Sequence, residues 1–153
     1  MNPEAEVSEV AKVSIVVSAL VIRDGKYLMV QEDIPEKGPL WHPPSGKVNI
    51  GEAFETAAVR WTKEQTGYDV RIIKEIGLYH EIVPKSIKHV YSAEIIGGDL
   101  KLPQSGIVQG EWLPYAEIEA LDKRNELRAP WVWNVIQKTR SHGDFENSVL
   151  NYL

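Results

Sequence analysis

The chain has 153 residues, 43% hydrophobic and 25% charged, which fits one domain with a sizeable core and excludes disorder over most of its length. It has no cysteine, so disulfides, thiol nucleophiles and cysteine metal sites are excluded. The net charge of −5 excludes a fold-wide basic field for nucleic-acid backbones, and an acidic protein that handles phosphate needs a metal or local basic groups to offset repulsion. The longest apolar stretch, Val13 to Ile22, contains Ser14 and Ser18 and is too short to span a bilayer. Met1 to Glu9 lacks the positive flank of a signal peptide, so a soluble, cytoplasmic protein is expected, with no membrane or long nucleic acid as partner.

Residues 1–10 read as a polar lead-in, 11–141 as one domain and 142–153 as a tail. Lys12 to Val21 is rich in Val and Ile and reads as a strand. Asp24-Gly25 is a hairpin signal, and Lys26 to Gln31 is the partner strand. Asp33 to Pro39 reads as a loop, and Leu40 to Lys47, with Pro43, Pro44 and Gly46, as a short irregular extended segment. Glu52 to Thr66 lacks Gly and Pro and reads as a helix stopped by Gly67. On its helical period Phe54, Ala57, Ala58 and Trp61 share one side and Glu52, Glu55, Thr56 and Lys63 the other. Tyr68 to Ile82, Ile87 to Ile96 and Ile107 to Leu113 read as strands. Tyr115 to Leu121 reads as a short helix, and Pro130 to Thr139 as a closing one with Pro130 in its first turn.

Within this layout one segment is specific. Gly46 is followed six positions on by Glu52, Arg60 falls eight further, and Glu64 and Gly67 complete the spacing. This resembles the box of the Nudix (MutT-like) family: Gly, five residues, Glu, seven residues, then Arg-Glu-U-x-Glu-Glu-x-Gly-U, with U a bulky aliphatic. The resemblance runs from about Val13 to Ile136. The lead-in Trp41-His42-Pro43-Pro44-Ser45-Gly46 and the stretch Leu127-Arg128-Ala129-Pro130 look most like the phosphatase branch, which hydrolyses nucleoside phosphates and thiamine-type pyrophosphates. The fold implied is an α/β/α sandwich with a mixed central sheet and the signature loop and helix at 46–67. Four positions depart from the pattern: Trp61 and Gln65 stand where the family has Glu, and Thr62 and Tyr68 where it has aliphatics.

What the resemblance implies about chemistry is Mg²⁺- or Mn²⁺-dependent hydrolysis of a nucleotide or other phosphorylated or diphosphate small molecule, by water attack on phosphorus. Positions 61, 64 and 65 share a helix face, and in the family they carry three metal-binding carboxylates. Here they are Trp61, Glu64 and Gln65. Glu64 would be the main ligand, Gln65 a neutral carbonyl ligand, and Glu52 an outer ligand or base, with fewer ions than a full-box relative holds. Arg60 would orient Glu64 or simply form a surface ion pair with it. Gly46 would let the backbone approach, Lys47 meet a phosphate, and Trp41 and His42 line a ring pocket or pack the loop. Glu81 and Glu111 are candidate carboxylates outside the box. His80 and His89 match no metal pair, and Trp131 and Trp133 suit packing or a homodimer contact. Weakened hydrolysis is the expectation, and a silenced module that binds a nucleotide, metabolite or protein without turnover is the alternative.

Overall fold

The computed structural model describes residues 12–82 and 85–141, so the expected lead-in (1–10) and tail (142–153) lie outside the described residues. The chain begins with a hairpin, β1 (Ser14–Arg23) and β2 (Lys26–Ile34). Asp24 and Gly25 both take positive φ, 53° and 73°, the left-handed pair that a two-residue hairpin turn requires. Two short strands follow, β3 (Gly38–His42) and β4 (Ser45–Lys47), where an irregular segment was expected. Prolines 43 and 44 separate them, because neither can donate a ladder hydrogen bond.

Helix α1 (Phe54–Thr66) comes next, then the long strands β5 (Tyr68–Glu81) and β6 (Ser86–Gly98), then β7 (Ile107–Pro114). Helices α2 (Tyr115–Lys123) and α3 (Pro130–Ser141) close the domain. Strand β1 is the hub: it runs parallel to β6, antiparallel to β4, and meets β2 at the hairpin end. Strand β2 in turn carries β3 and β7, and β6 carries β5, all antiparallel. The sheet is therefore mixed, as expected.

Because β1 is covered on both faces, its run Val17, Ala19, Leu20 and Val21 is 0–1% exposed. Ser18 is tolerated there since its hydroxyl donates to Pro44 O at 2.9 Å. On one face Val17 packs with Ala57 and Ala58 of α1. On the other, Leu20, Met29 and Val90 pack with Ile118 of α2 and with Val132 and Ile136 of α3. This is the helix–sheet–helix layering of an α/β/α sandwich. Trp131 is in that core and Trp133 sits against Tyr115, so both serve packing within the chain. No helix among the described residues is long and apolar enough to cross a membrane.

The helix ends where expected. Gly67 has φ of 84°, and its N–H donates to Lys63 O at 2.9 Å. A Cβ there would lie 2.3 Å from Asp99 O, a backbone atom that cannot swing away. Gly67→Ala is expected to destabilise the domain by about 1–3 kcal/mol in urea unfolding. Gly25→Asn, at a turn with nothing within 4 Å of the added Cβ, should cost less than about 1 kcal/mol.

Candidate functional site

The segment Ser45–Glu52 is pinned beneath α1 by three successive side chains. Arg60 forms a two-point pair with Glu52, Nε to Oε2 at 2.8 Å and Nη2 to Oε1 at 2.9 Å. It also donates to Lys47 O at 3.2 Å. Glu52 additionally accepts from the Asn49 N–H at 3.0 Å, so its carboxylate bridges helix and loop. Trp61 lies flat over Gly46: a Cβ at Gly46 would come within 2.0 Å of the indole, so only glycine fits beneath it. The indole N–H donates to Lys47 O at 2.8 Å, and the Arg60 guanidinium stands 4.8 Å from the ring centre. Gln65, only 7% exposed, clasps Ser45 at both ends of its amide. Its Oε1 accepts from Ser45 N–H and its Nε2 donates to Ser45 O, each at 3.0 Å. Thr62 and Thr66, also buried, return their hydroxyls to carbonyls one turn back.

Beside this clamp lies a cavity of about 580 Å³, within the ordinary size range for small-molecule sites of about 300–1,000 Å³. Its wall includes Gly46, Lys47, Trp61, Gln65, Ser45 and His42, and five cations: Lys37, Lys47, Lys85, Lys88 and Arg128. Only two carboxylates, Glu32 and Glu81, face them, so this hollow is locally basic in a chain of net charge −5. Lys88 is committed to Glu81 at 2.9 Å, and Arg128 lies 3.6 Å from Glu32. Lys37, Lys47 and Lys85 make no ion pair among the described residues. His42, 1% exposed, places Nε2 2.9 Å from Glu32 Oε1. The Glu32 carboxyl is held below its usual range, first by the His42 hydrogen bond and then by the nearby His42 and Arg128 charges, against the opposing effect of burial.

Of the residues singled out in the sequence, Gly46, Lys47, His42, Gln65 and Glu81 meet at the cavity. Trp41 departs from expectation: it is 7% exposed in the apolar core, held by Glu126 O and the Arg128 N–H through its backbone, and does not line the cavity. Glu64 lies outside the cavity wall, half exposed, with Arg60 Nη1 3.5 Å away. Glu52 is used up by Arg60, and Glu111 sits on an exposed position of β7. His80 and His89 are not in the wall, and the His89 ring packs on Phe54.

Of the box residues, Glu64 is the carboxylate left exposed to hold a divalent ion together with waters and a ligand's phosphates. Such ions are held by several oxygen ligands. Trp61 offers none, both ends of the Gln65 amide are bound to Ser45, and Glu52 is bound to Arg60 and Asn49. Among the described residues no group of three or more His, Asp or Glu side chains is gathered for a metal.

The chain matches the NUDIX domain family over residues 12–134. It belongs to the Nudix family. It is 31% identical over 115 residues to a putative nudix hydrolase 1 of Caenorhabditis elegans, covering 71% of this chain and 31% of that protein. It is 30% identical over 120 residues to an NAD-capped RNA hydrolase NudC of Vibrio atlanticus, covering 78% of this chain and 44% of the other. A NUDIX hydrolase structure from Nitrosomonas europaea superposes with a TM-score of 0.77 at 27% identity, covering 85% of this chain and 90% of that one. The chain spans 31–40% of the length of the first curated relatives it matches. Nudix proteins generally use divalent metals; in this domain Trp61 and Gln65 of the box helix bond to the loop beneath them, while Glu64 stays exposed.

Ser45 and Arg128 stand out in the sequence only as parts of the family-like stretches, and Glu32, Lys37, Lys85 and Lys88 are not marked individually as site residues. Glu32 had a signal: in the β2–β3 ladder Glu32 pairs with Leu40 and Val30 with His42, so Glu32 and His42 are diagonal neighbours on one face. The cations Lys37, Lys85 and Lys88 fall in segments 33–43 and 83–90, where the family resemblance puts substrate specificity, but far apart in sequence, so their convergence had no local signal.

Glu52 gives a measurable pH signature. Its two hydrogen bonds from Arg60 and the one from Asn49 N–H lower its pKa from 4.5 to about 2. A carboxylate depressed in the folded state stabilises the fold above its unfolded pKa, and that stabilisation is lost as pH falls from 4.5 toward 2. Glu52→Gln is therefore expected to be less stable than wild type at neutral pH. The gap should narrow across that acid window in thermal unfolding followed by circular dichroism, and a constant gap would contradict the assignment.

Proposed function

We propose that this Nudix domain binds a phosphorylated small molecule of the nucleoside-diphosphate type in the basic cavity and turns it over far more slowly than a relative with a full box. One observation carries this: the two box-helix positions facing the cavity are Trp61 and Gln65, both bonded to the loop they cover, while the cations around the hollow suit an anion. Relatives named as a putative 8-oxo-dGTP diphosphatase and an ADP-ribose pyrophosphatase support a diphosphate-bearing ligand.

The chemistry follows from the groups present. Lysine and arginine charges offset the ligand's phosphates on binding. Hydrolysis needs more: charge stabilisation at the phosphorus being attacked and a means of activating water, which relatives obtain from metal-bound carboxylates. Even changes around the ligands of a metal site cost roughly 10–100-fold, so loss of two ligand positions removes at least that much. The protein retains groups that bind and orient, not groups that activate water.

A second reading, slow Mg²⁺- or Mn²⁺-dependent hydrolysis through Glu64, is favoured by one feature, the retained Arg60–Glu64 contact of 3.5 Å. In that reading Glu64→Gln abolishes turnover.

Thermal unfolding with a panel of nucleosides, nucleotides and nucleotide sugars separates these readings. A nucleoside diphosphate at about ten times its Kd should raise Tm by roughly 3–6 °C, and the parent nucleoside should not. Wild type with Mg²⁺ should release phosphate at least about 100-fold more slowly than the double variant Trp61→Glu, Gln65→Glu. Wild-type turnover equal to that of a folded double variant would overturn the proposal.

A further inference from the structure

The cavity floor is part of the mixed sheet. Val16 of β1 is paired on one side with Lys47 of β4 and on the other with Lys88 of β6. Residues directly opposite in a ladder project from the same face, and strands are spaced about 4.8 Å apart, so the two lysine backbones flank Val16 about 10 Å from each other. Val17, the next residue, points at α1. The row Lys47–Val16–Lys88 therefore faces away from the box helix, and all three residues line the cavity. In the row on one side Ser45 pairs with Ser18, and in the row on the other Ser14 pairs with Ser86.

Ser45 is the most constrained member. Gln65 fixes its backbone at both N–H and C=O. Only an amide can do this, because a carboxylate at position 65 could accept from the N–H but could not donate to the carbonyl. The hydroxyl is fixed by His42. Nδ1 of that ring lies 2.6 Å from Pro43 O, an oxygen that can only accept, so Nδ1 carries a proton. The same nitrogen is 3.0 Å from Ser45 Oγ, so its one proton is shared between Pro43 O and Ser45 Oγ, and the Ser45 hydroxyl proton is not taken up by His42. His42 is 1% exposed and cannot reach a ligand itself, and Glu32 braces its other nitrogen. His42 and Glu32 act as positioning residues for Ser45. The Lys47 carbonyl is likewise tied down by Trp61 and Arg60, leaving its ammonium group to reach across the floor.

Building on the proposed ligand-binding function, we propose that Ser45, Lys47 and Lys88 form a phosphate subsite on the sheet floor that works without a divalent ion. In this site Lys47 supplies the uncompensated charge, Lys88 adds an N–H donor while paired with Glu81 and bonded to Ser86 Oγ, and the Ser45 hydroxyl supplies a directed donor. Gln65, at a lost metal-ligand position, holds that donor in place.

The test is isothermal titration of the full chain with ADP and with inorganic pyrophosphate, each in excess EDTA and in excess Mg²⁺. Binding in EDTA at least as tight as in Mg²⁺ is expected. Ser45→Ala, Lys47→Met and the paired change Lys88→Met with Glu81→Gln should each weaken ADP roughly 10–100-fold, as expected for hydrogen bonds to a charged group. Ser45→Thr, which keeps the hydroxyl, should restore most of the loss. Ser45→Ala leaves the Gln65 clasp intact, since that clasp uses only backbone atoms, and circular dichroism confirms that each variant is folded. Binding that requires Mg²⁺, or folded variants that bind like wild type, would sink the subsite while leaving ligand binding standing. No binding of either probe under either condition would sink both.

Discussion

Everything about the site depends on how α1 is fastened to the loop beneath it. The helix's alanine-rich inner face docks on β1 through Ala57, Ala58 and Val17. What fixes the loop is the succession Arg60 on Glu52, Trp61 on Gly46 and Gln65 on Ser45. Each contact satisfies a backbone or carboxylate group that would otherwise need water or an ion. These box residues therefore act as a mechanical fastening between helix and loop. The box glycine is required by the indole pressing on it, and the box glutamate is required by the arginine that grips it.

Much of the fold was legible because its signals are local. The Asp24-Gly25 turn, the Gly67 stop and the alternating strands declare themselves within a few residues, and observed boundaries differ from the sequence reading by a few residues at most. The strands β3 and β4 were harder, since Pro43 and Pro44 mask two short ladders as a loop. The parallel pairing of β1 with β6 joins segments about seventy residues apart, a distance over which no local pattern speaks.

The site was legible only in part. Trp61 and Gln65 could be recognised as departures, but the sequence left open whether they merely remove ligands or replace them with bonds of their own. Gln65 clasping Ser45 is visible only when β4 is seen under the helix. Trp41, an aromatic beside the Pro43-Pro44 segment, invited a stacking role, yet its ring is buried because its backbone ties β3 to residues 126–128. That tie carries Arg128 to the cavity edge, so the tryptophan shapes the site without touching it.

The indole over Gly46 has a consequence for how such a protein can change over time. A single change at position 65 to Glu would cost the Ser45 carbonyl its donor while Trp61 still filled the space above Gly46. A single change at position 61 to Glu would remove the cover and the cation–π contact while Gln65 stayed bound to the loop. Either step alone loses contacts and gains at most one carboxylate. Positions 61 and 65 are thus coupled through the loop they both hold, so the effect of changing one depends on what stands at the other.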